Sequence, residues 1–216
     1  MEKPLAGLKP FTLLWQFYLV GILGHLLPFS RPLMLWLTPW FLLFTGVLMI
    51  NQLKTHYPKK IIFWLVFVYL NTLAAEIIGV ATGKVFGVYS YGPTLGPQVL
   101  GVPWIIGLNW SLILAGGLAL STRLTPNRYL QILLTGFFAV AIDFFIEPVA
   151  IRLDYWHWAN SVIPLQNYLA WFILAIFNTS VFQILKISFQ SRLFISFYGI
   201  QFAFFLILNI FFRIVD

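Results

Sequence analysis

Asp143, Glu147 and Asp154 are three of the six acidic residues in a chain of 216, and all three fall within the stretch DFFIEPVAIRLDYWHWANSVIPLQNYLAW, residues 143–171. Asp143 and Glu147 stand four apart in an otherwise apolar run, so on a helix they share one face about one turn apart. A fourth acid, Glu76, also interrupts an apolar run. Each charged side chain near a bilayer centre costs roughly 2.5–3.5 kcal/mol on insertion scales, so acids in apolar spans face a protein interior and often mark function. The chemistry such a group suggests is proton transfer. A carboxyl buried beside a second carboxyl can be held in its acid form at neutral pH, which is how enzymes make a proton donor from it. Asp154 differs, because it lies next to Arg152 in a polar break and suits a surface ion pair as well as a site.

Aromatic and amide side chains gather around these acids. Tyr89, Tyr91, Trp104, Trp156, Trp158 and Trp171 are candidate walls of a pocket, although each alone also suits an interface anchor. Asn109, Asn160, Gln166 and Asn167 can orient a water, since amides both give and accept hydrogen bonds. Other chemistries find little support. Without cysteine the chain has no thiol nucleophile, disulfide or thiolate-held cluster. His25 and His157 with a carboxylate would suit a facial iron site, but the HxxxH and HxxHH patterns of membrane desaturases are missing, so no metal is expected. The last apolar run, 193–212, has no lysine for a retinal Schiff base, and no glycine-rich phosphate loop follows a strand.

The elements that must position these groups are helices in a membrane. The chain is 61% hydrophobic and 9% charged, with mean hydropathy +0.91, which excludes an ordinary soluble domain. The net charge of +7 does not point to nucleic acid, because the basic residues sit singly between apolar runs. Runs long enough to cross the hydrocarbon fall at 11–28, 32–50, 61–80, 102–120, 129–151, 164–185 and 193–212. They predict an all-α, polytopic bundle of about seven transmembrane helices forming a single integral membrane domain over 1–216. Pro39 makes the second the least regular, as a kink that neighbouring helices can satisfy. The first run follows two lysines as a signal peptide would, yet its length and the lack of a small-x-small site before Arg31 predict a retained span.

Lysine and arginine set the orientation. Nine of the thirteen lie on one side, at Lys3, Lys9, Lys54, Lys59, Lys60, Arg123, Arg128, Lys186 and Arg192, and four on the other. The N-terminus is therefore expected in the cytoplasm of a multi-pass cell-membrane protein, with Glu76, Asp143 and Glu147 in the outward halves of the third and fifth helices. The connection after the third helix is rich in glycine and proline and reads as a turn-rich cap. Tyr89 and Tyr91 stand 13 and 15 residues after Glu76, and Trp156 and Trp158 stand 13 and 15 after Asp143. Each unit then reaches a proline, an asparagine and a tryptophan: Pro103, Asn109 and Trp110, against Pro164, Asn167 and Trp171. The pattern suggests a diverged parallel repeat. A helical groove bearing Gly107, Ala115, Gly116 and Gly117 is a candidate seat for an extended ligand, the alternative being close helix packing.

The run EIIGVATGKVFGVYSYGPTLGPQVLGVPW from Glu76, together with DFFIEPVAIRLDYWHW and IPLQNYLAWF, resembles the bacterial and archaeal carotenoid biosynthesis membrane proteins that include the CruF-type carotenoid 1′,2′-hydratases. The resemblance covers roughly residues 61–177. It implies an enzyme that adds water across the terminal 1,2 double bond of an acyclic carotenoid ψ-end, in contact with membrane lipid and other enzymes of the pathway, with no redox cofactor. Protonating that alkene yields a tertiary carbocation, so the site needs an acid, aromatic faces worth about 2 kcal/mol or more each to a desolvated cation, and a base for the incoming water. Asp143 is the expected donor, Glu76 its partner or the water base, and Glu147 a tuning group. A membrane lycopene-type cyclase shares the first step, and a scaffold or a proton-coupled transporter are readings from other classes. The transporter requires carboxyls spread across the whole membrane depth.

Overall fold

The computed structural model describes residues 8–215; Lys3, which enters the charge count above, lies outside them. Among the described residues there are seven α-helices: α1 (Leu8–Leu26), α2 (Arg31–His56), α3 (Lys59–Thr82), α4 (Ile105–Leu124), α5 (Arg128–Arg152), α6 (Leu165–Ile184) and α7 (Arg192–Val215). Six of them, α2 to α7, are long and apolar enough to cross a membrane, while α1 offers a shorter apolar stretch, Pro10–Leu26. The chain is an all-α, multi-pass membrane protein.

Local chemistry fixes the helix ends. The Asn127 side chain accepts from the amides of Tyr129 and Leu130 at 2.9 and 3.2 Å, capping the start of α5. Gly83 ends α3 in the left-handed region at φ +66°. Helix α2 runs through Pro39 and six residues beyond the expected boundary at 50, to His56. It stops where Tyr57 is extended (φ −131°, ψ 158°) ahead of Pro58, because the proline ring bars the helical conformation to the residue before it.

Helix α4 is the buried centre of the bundle, with 78% of its apolar window inside. Its small residues are filled by neighbours, which corrects the expected ligand groove. A Cβ on Gly107 would lie 3.0 Å from the Tyr69 carbonyl oxygen, and one on Gly116 would lie 2.8 Å from Tyr198 Cβ and 3.0 Å from the Phe194 carbonyl oxygen. Gly117 meets Phe138 Cβ at 3.3 Å in the same way, and Ala115 is fully buried. These positions let helices approach closely and leave no channel.

Interhelical polar pairs tie the bundle together: Gln183 Nε2 donates to Gln131 Oε1 at 2.7 Å, Asn178 Nδ2 to Asn71 Oδ1 at 2.9 Å, and Ser121 meets Thr135 at 3.1 Å. One end of the bundle gathers the connections that carry most of the basic residues; there the Tyr57 hydroxyl donates to the Gln190 carbonyl at 2.6 Å and Thr122 to the Phe189 carbonyl at 3.3 Å. The opposite end is capped by four short strands: β1 (Tyr89–Tyr91), β2 (Gln98–Val99), β3 (Val102–Pro103) and β4 (Trp156–Trp158). Strands were not expected from the sequence.

Strands β1 and β4 pair antiparallel, with Tyr89 opposite Trp158, Ser90 opposite His157 and Tyr91 opposite Trp156. Side chains alternate across a strand, so the four large rings share one face and the exposed Ser90 and His157 point away from it. The register also bears on the repeat. If Glu76 corresponds to Asp143, then Ser90 corresponds to His157, and a two-fold axis through that pair sets Tyr89 against Trp158 and Tyr91 against Trp156, as observed. Trp110 and Trp171, matched in the two units, stack on each other at 3.5 Å between ring centroids. Glu147 breaks the symmetry, since its counterpart is Val80.

Candidate active site

Helix α5 places Asp143 and Glu147 on its inner face, one turn apart and each only 1% exposed, and α3 brings Glu76 to the same chamber at 4%. The β1/β4 pair supplies their donors from above. Trp156 Nε1 and Trp158 Nε1 donate to Glu147 Oε2 at 2.9 and 2.7 Å, and the Tyr89 hydroxyl donates to Glu76 Oε2. From α6, Asn167 Nδ2 bridges the two acids of α5, 2.8 Å from Asp143 Oδ2 and 2.9 Å from Glu147 Oε1. An indole N–H can only donate, so Glu147 acts as an acceptor at both oxygens, whereas Asp143 receives the shared amide alone among these donors. Burial first, and the Glu76 carboxyl second, raise the phenols of Tyr89 and Tyr91 above their ordinary value, which keeps both as hydroxyls able to donate.

The acids surround a chamber of about 20 Å³, room for about one water. Its floor is a stack of three rings: Phe86 on Trp171 at 4.8 Å, and Trp171 on Trp110 at 3.5 Å. Trp110 and Trp156 also line a second, much larger and almost wholly apolar cavity of about 410 Å³ among α1, α2, α4 and α7. Phe17, Val20, Trp40 and Phe44, exposed on α1 and α2, set the mouth of that cavity at the bundle surface. Two indoles therefore form the partition between a polar acid chamber and an apolar slot that opens toward lipid.

The structure brings together Glu76, Asp143, Glu147, Tyr89, Tyr91, Trp156, Trp158, Asn167 and Trp171. Five expected site residues lie elsewhere. Asp154 is half-exposed and pairs with His157 at 2.6 Å; it follows the end of α5 in the left-handed region at φ +58°, with the Tyr155 amide returning to the Ala150 carbonyl at 2.9 Å, so its place is a helix stop. The Arg152 guanidinium lies over the Phe212 ring at 5.9 Å. Asn160 is exposed in a left-handed turn at φ +57°. Gln166 ties down the cap, its amide donating to the carbonyls of Lys84 and Val85 at 2.6 and 3.1 Å. Trp104 packs half-buried at the start of α4. Asn109 faces the apolar cavity, where Gln201 Nε2 donates to its Oδ1 at 2.8 Å.

Phe86 and Trp110 line the chamber and were not anticipated as site residues. Trp110 was within reach of the repeat, which matches it to Trp171. Among the described residues no group of three or more His, Asp or Glu is placed to hold a metal ion.

The site thus defines a multi-pass helical membrane protein with three buried carboxyls under an aromatic lid, next to a large apolar cavity. More specifically, residues 37–215 match the model of the carotenoid biosynthesis protein family, and the chain belongs to that family. It is 28% identical over 178 residues to bisanhydrobacterioruberin hydratase of Haloarcula japonica, an alignment covering 76% of this chain and 60% of that protein. The chain thus matches less than two thirds of that relative's length. No solved structure matches it.

Proposed function

We propose that this chain is an acid-catalysed carotenoid hydratase acting on the 1,2 double bond of an acyclic ψ-end. The observation that carries the reading is the shared wall: Trp110 and Trp156 line both the chamber of the carboxyls and the apolar cavity. A polyene lying in the cavity delivers its end group past those indoles to the acids. Asp143 gives its proton to the less substituted alkene carbon, and the neighbouring carbon becomes a tertiary cation. The free faces of Trp110 and Phe86, the two outer rings of the stack, stabilise that cation. A water in the chamber bonds to it through oxygen and loses a proton to Glu147 or Glu76, and passage of that proton to Asp143 restores the starting state. One hydrogen and one hydroxyl are added, with no electron transfer. The named activity of the Haloarcula relative supports the same reaction type. Of the amides expected to hold water, Asn167 alone lies in the chamber.

Run in oxygen-18 water with an acyclic carotenoid, the protein should yield a more polar carotenoid with one labelled hydroxyl per modified end, without molecular oxygen, reductant or added metal. An unlabelled, ring-containing hydrocarbon would make it a cyclase, and label arriving from oxygen gas would point to iron chemistry. Unchanged carotenoid alongside a rise in another enzyme's output would favour a scaffold. The carboxyls cluster at one end of the bundle, while the polar pairs deeper in it are amides and hydroxyls, which disfavours a transmembrane proton relay.

The site belongs, in this reading, to the outer end of the bundle in the cell membrane. A reporter inserted at His56 should accordingly read cytoplasmic and one fused after Asp216 external; the reverse pattern would move the site to the cytoplasmic face.

A further inference from the structure

The three carboxyls of the chamber differ in what holds them. Glu147 is met by three N–H groups: Trp156 Nε1 at 2.9 Å and Trp158 Nε1 at 2.7 Å share its Oε2, and Asn167 Nδ2 lies 2.9 Å from its Oε1. An indole donates and cannot accept. The two indoles occupy both lone pairs of Oε2, and a proton arriving on Oε1 would weaken all three charge-assisted bonds while neither indole could turn into an acceptor for it. Glu147 is built to stay a carboxylate. Glu76 is met by phenols instead: the Tyr89 hydroxyl donates to its Oε2, and the Tyr91 hydroxyl lies within bonding reach. A hydroxyl both donates and accepts, so a protonated Glu76 can turn the bond round and donate to the same partners, which serve both forms of the acid.

The helices put these groups on different walls. Helices α3 and α5 each pack on both α4 and α6, and α4 and α6 touch through the stack of Trp110 on Trp171, so α3 and α5 flank that stack from opposite sides. Asp143 and Glu147 stand on one wall of the chamber and Glu76 on the other. Asn167 Nδ2, 2.8 Å from Asp143 Oδ2, leaves Oδ1 of that residue to carry a proton. An ionised Glu147 one turn along α5 repels a second charge, so Asp143 is the member of the pair that holds the proton. A group seated over the stack then meets an acid on one side and a base on the other, with a fixed negative charge beside the acid.

We propose that Glu147 is the fixed counter-ion of the carbocation, clamped in its charged form by Trp156, Trp158 and Asn167, and that Glu76, backed by Tyr89 and Tyr91, is the base that takes the proton from water. This division of roles rests on the reading of the chain as a hydratase. Asp143 forms the new C–H bond at the less substituted carbon and is left as a carboxylate. The positive charge on the neighbouring carbon develops beside a negative charge that is already in place. Water bonds to that carbon through oxygen and gives its proton to Glu76, whose hydrogen bonds with the phenols reverse. Trp156, Trp158 and Asn167 are positioning residues, acting through Glu147.

The test uses the full chain in lipid nanodiscs with an acyclic carotenoid, in water enriched in both deuterium and oxygen-18. Oxygen-18 in the product counts hydration. Deuterium at the less substituted carbon of recovered alkene counts cation formation, because a cation that is not captured returns a proton from that carbon to Asp143. Glu76→Gln should cut oxygen-18 incorporation by about a hundredfold and leave deuterium exchange at or above the wild-type rate. Glu147→Gln should cut both by about a hundredfold or more. Trp158→Phe removes one donor from Glu147 and keeps a ring in the lid; it should lower both labels, and it carries the test if Glu147→Gln loses its membrane level. Exchange that persists in either of these two variants while hydration falls would make Glu147 the base and overturn the assignment. Full activity in Glu147→Gln, or loss of exchange in a well-folded Glu76→Gln, overturns it too, and in all these cases the hydratase reading stands. Neither label in the wild type overturns the hydratase reading and the assignment with it.

Discussion

Asp143→Asn should lower turnover by about a hundredfold or more while the protein keeps its level in the membrane, the loss expected when a general acid is removed. Asparagine has the shape of aspartic acid and still offers an oxygen to Asn167 Nδ2, 2.8 Å away in the native chain, so packing is preserved and only the transferable proton disappears. Glu76→Gln should act in the same direction, because glutamine still accepts from the Tyr89 hydroxyl but cannot take up a proton from water. The measurement is product formation per unit of membrane-inserted protein, with solubilised melting temperature as the control for folding. Full activity in both variants would return the carboxyls to a purely structural role.

Gly92→Ala should be as damaging by another route. Gly92 follows β1 and its amide donates to the Tyr155 carbonyl at 2.9 Å. A Cβ there would overlap the Asp154 carbonyl oxygen and lie 2.5 Å from Asp154 Oδ1 and 3.0 Å from its carbonyl carbon. That backbone cannot retreat, since the Tyr155 amide is held by the Ala150 carbonyl at 2.9 Å. The two strands must therefore part, and with them the indoles that hold Glu147. Overpacking of this kind costs about 1–3 kcal/mol, and activity should fall further than stability because the lid itself moves. Gly199→Ala is the matched control: a Cβ there meets nothing within 4 Å, and alanine in a helix should raise stability by about 0.5–1 kcal/mol. Equal melting temperatures for the two variants would contradict this account of the cap.

The seven helices were legible because each is a long apolar run between basic or proline-bearing breaks, and the three carboxyls because an acid in such a run is conspicuous. The lid was half legible. The alternation of Tyr89 with Tyr91 and of Trp156 with Trp158 is in the sequence, but an interface belt and a pair of strands share that pattern, and only the pairing with Ser90 and His157 decides between them. Asn160 and Gln166 misled because closeness in sequence to Trp158 and Asn167 says nothing about facing: one occupies a left-handed turn and the other anchors a loop by its carbonyls. The cavity was beyond reach, since its walls come from α1, α2, α4 and α7 and no local pattern links Tyr18 to Gln201. The small residues of α4 pointed to a groove, whereas Tyr69, Tyr198 and Phe138 fill it.

Between the carboxyls and the far end of the bundle, α4 presents Leu112, Ile113, Leu114, Ala115, Leu118 and Ala119, each at most 2% exposed. None of these six side chains can ligate an ion or pass on a proton. On the proposed mechanism, protons borrowed from and returned to a site above them come from one compartment, so each turnover moves no net charge through the bilayer. If the chain hydrates a carotenoid as proposed, it neither draws on the transmembrane voltage nor dissipates it, and its rate should be the same in energised and in uncoupled membranes.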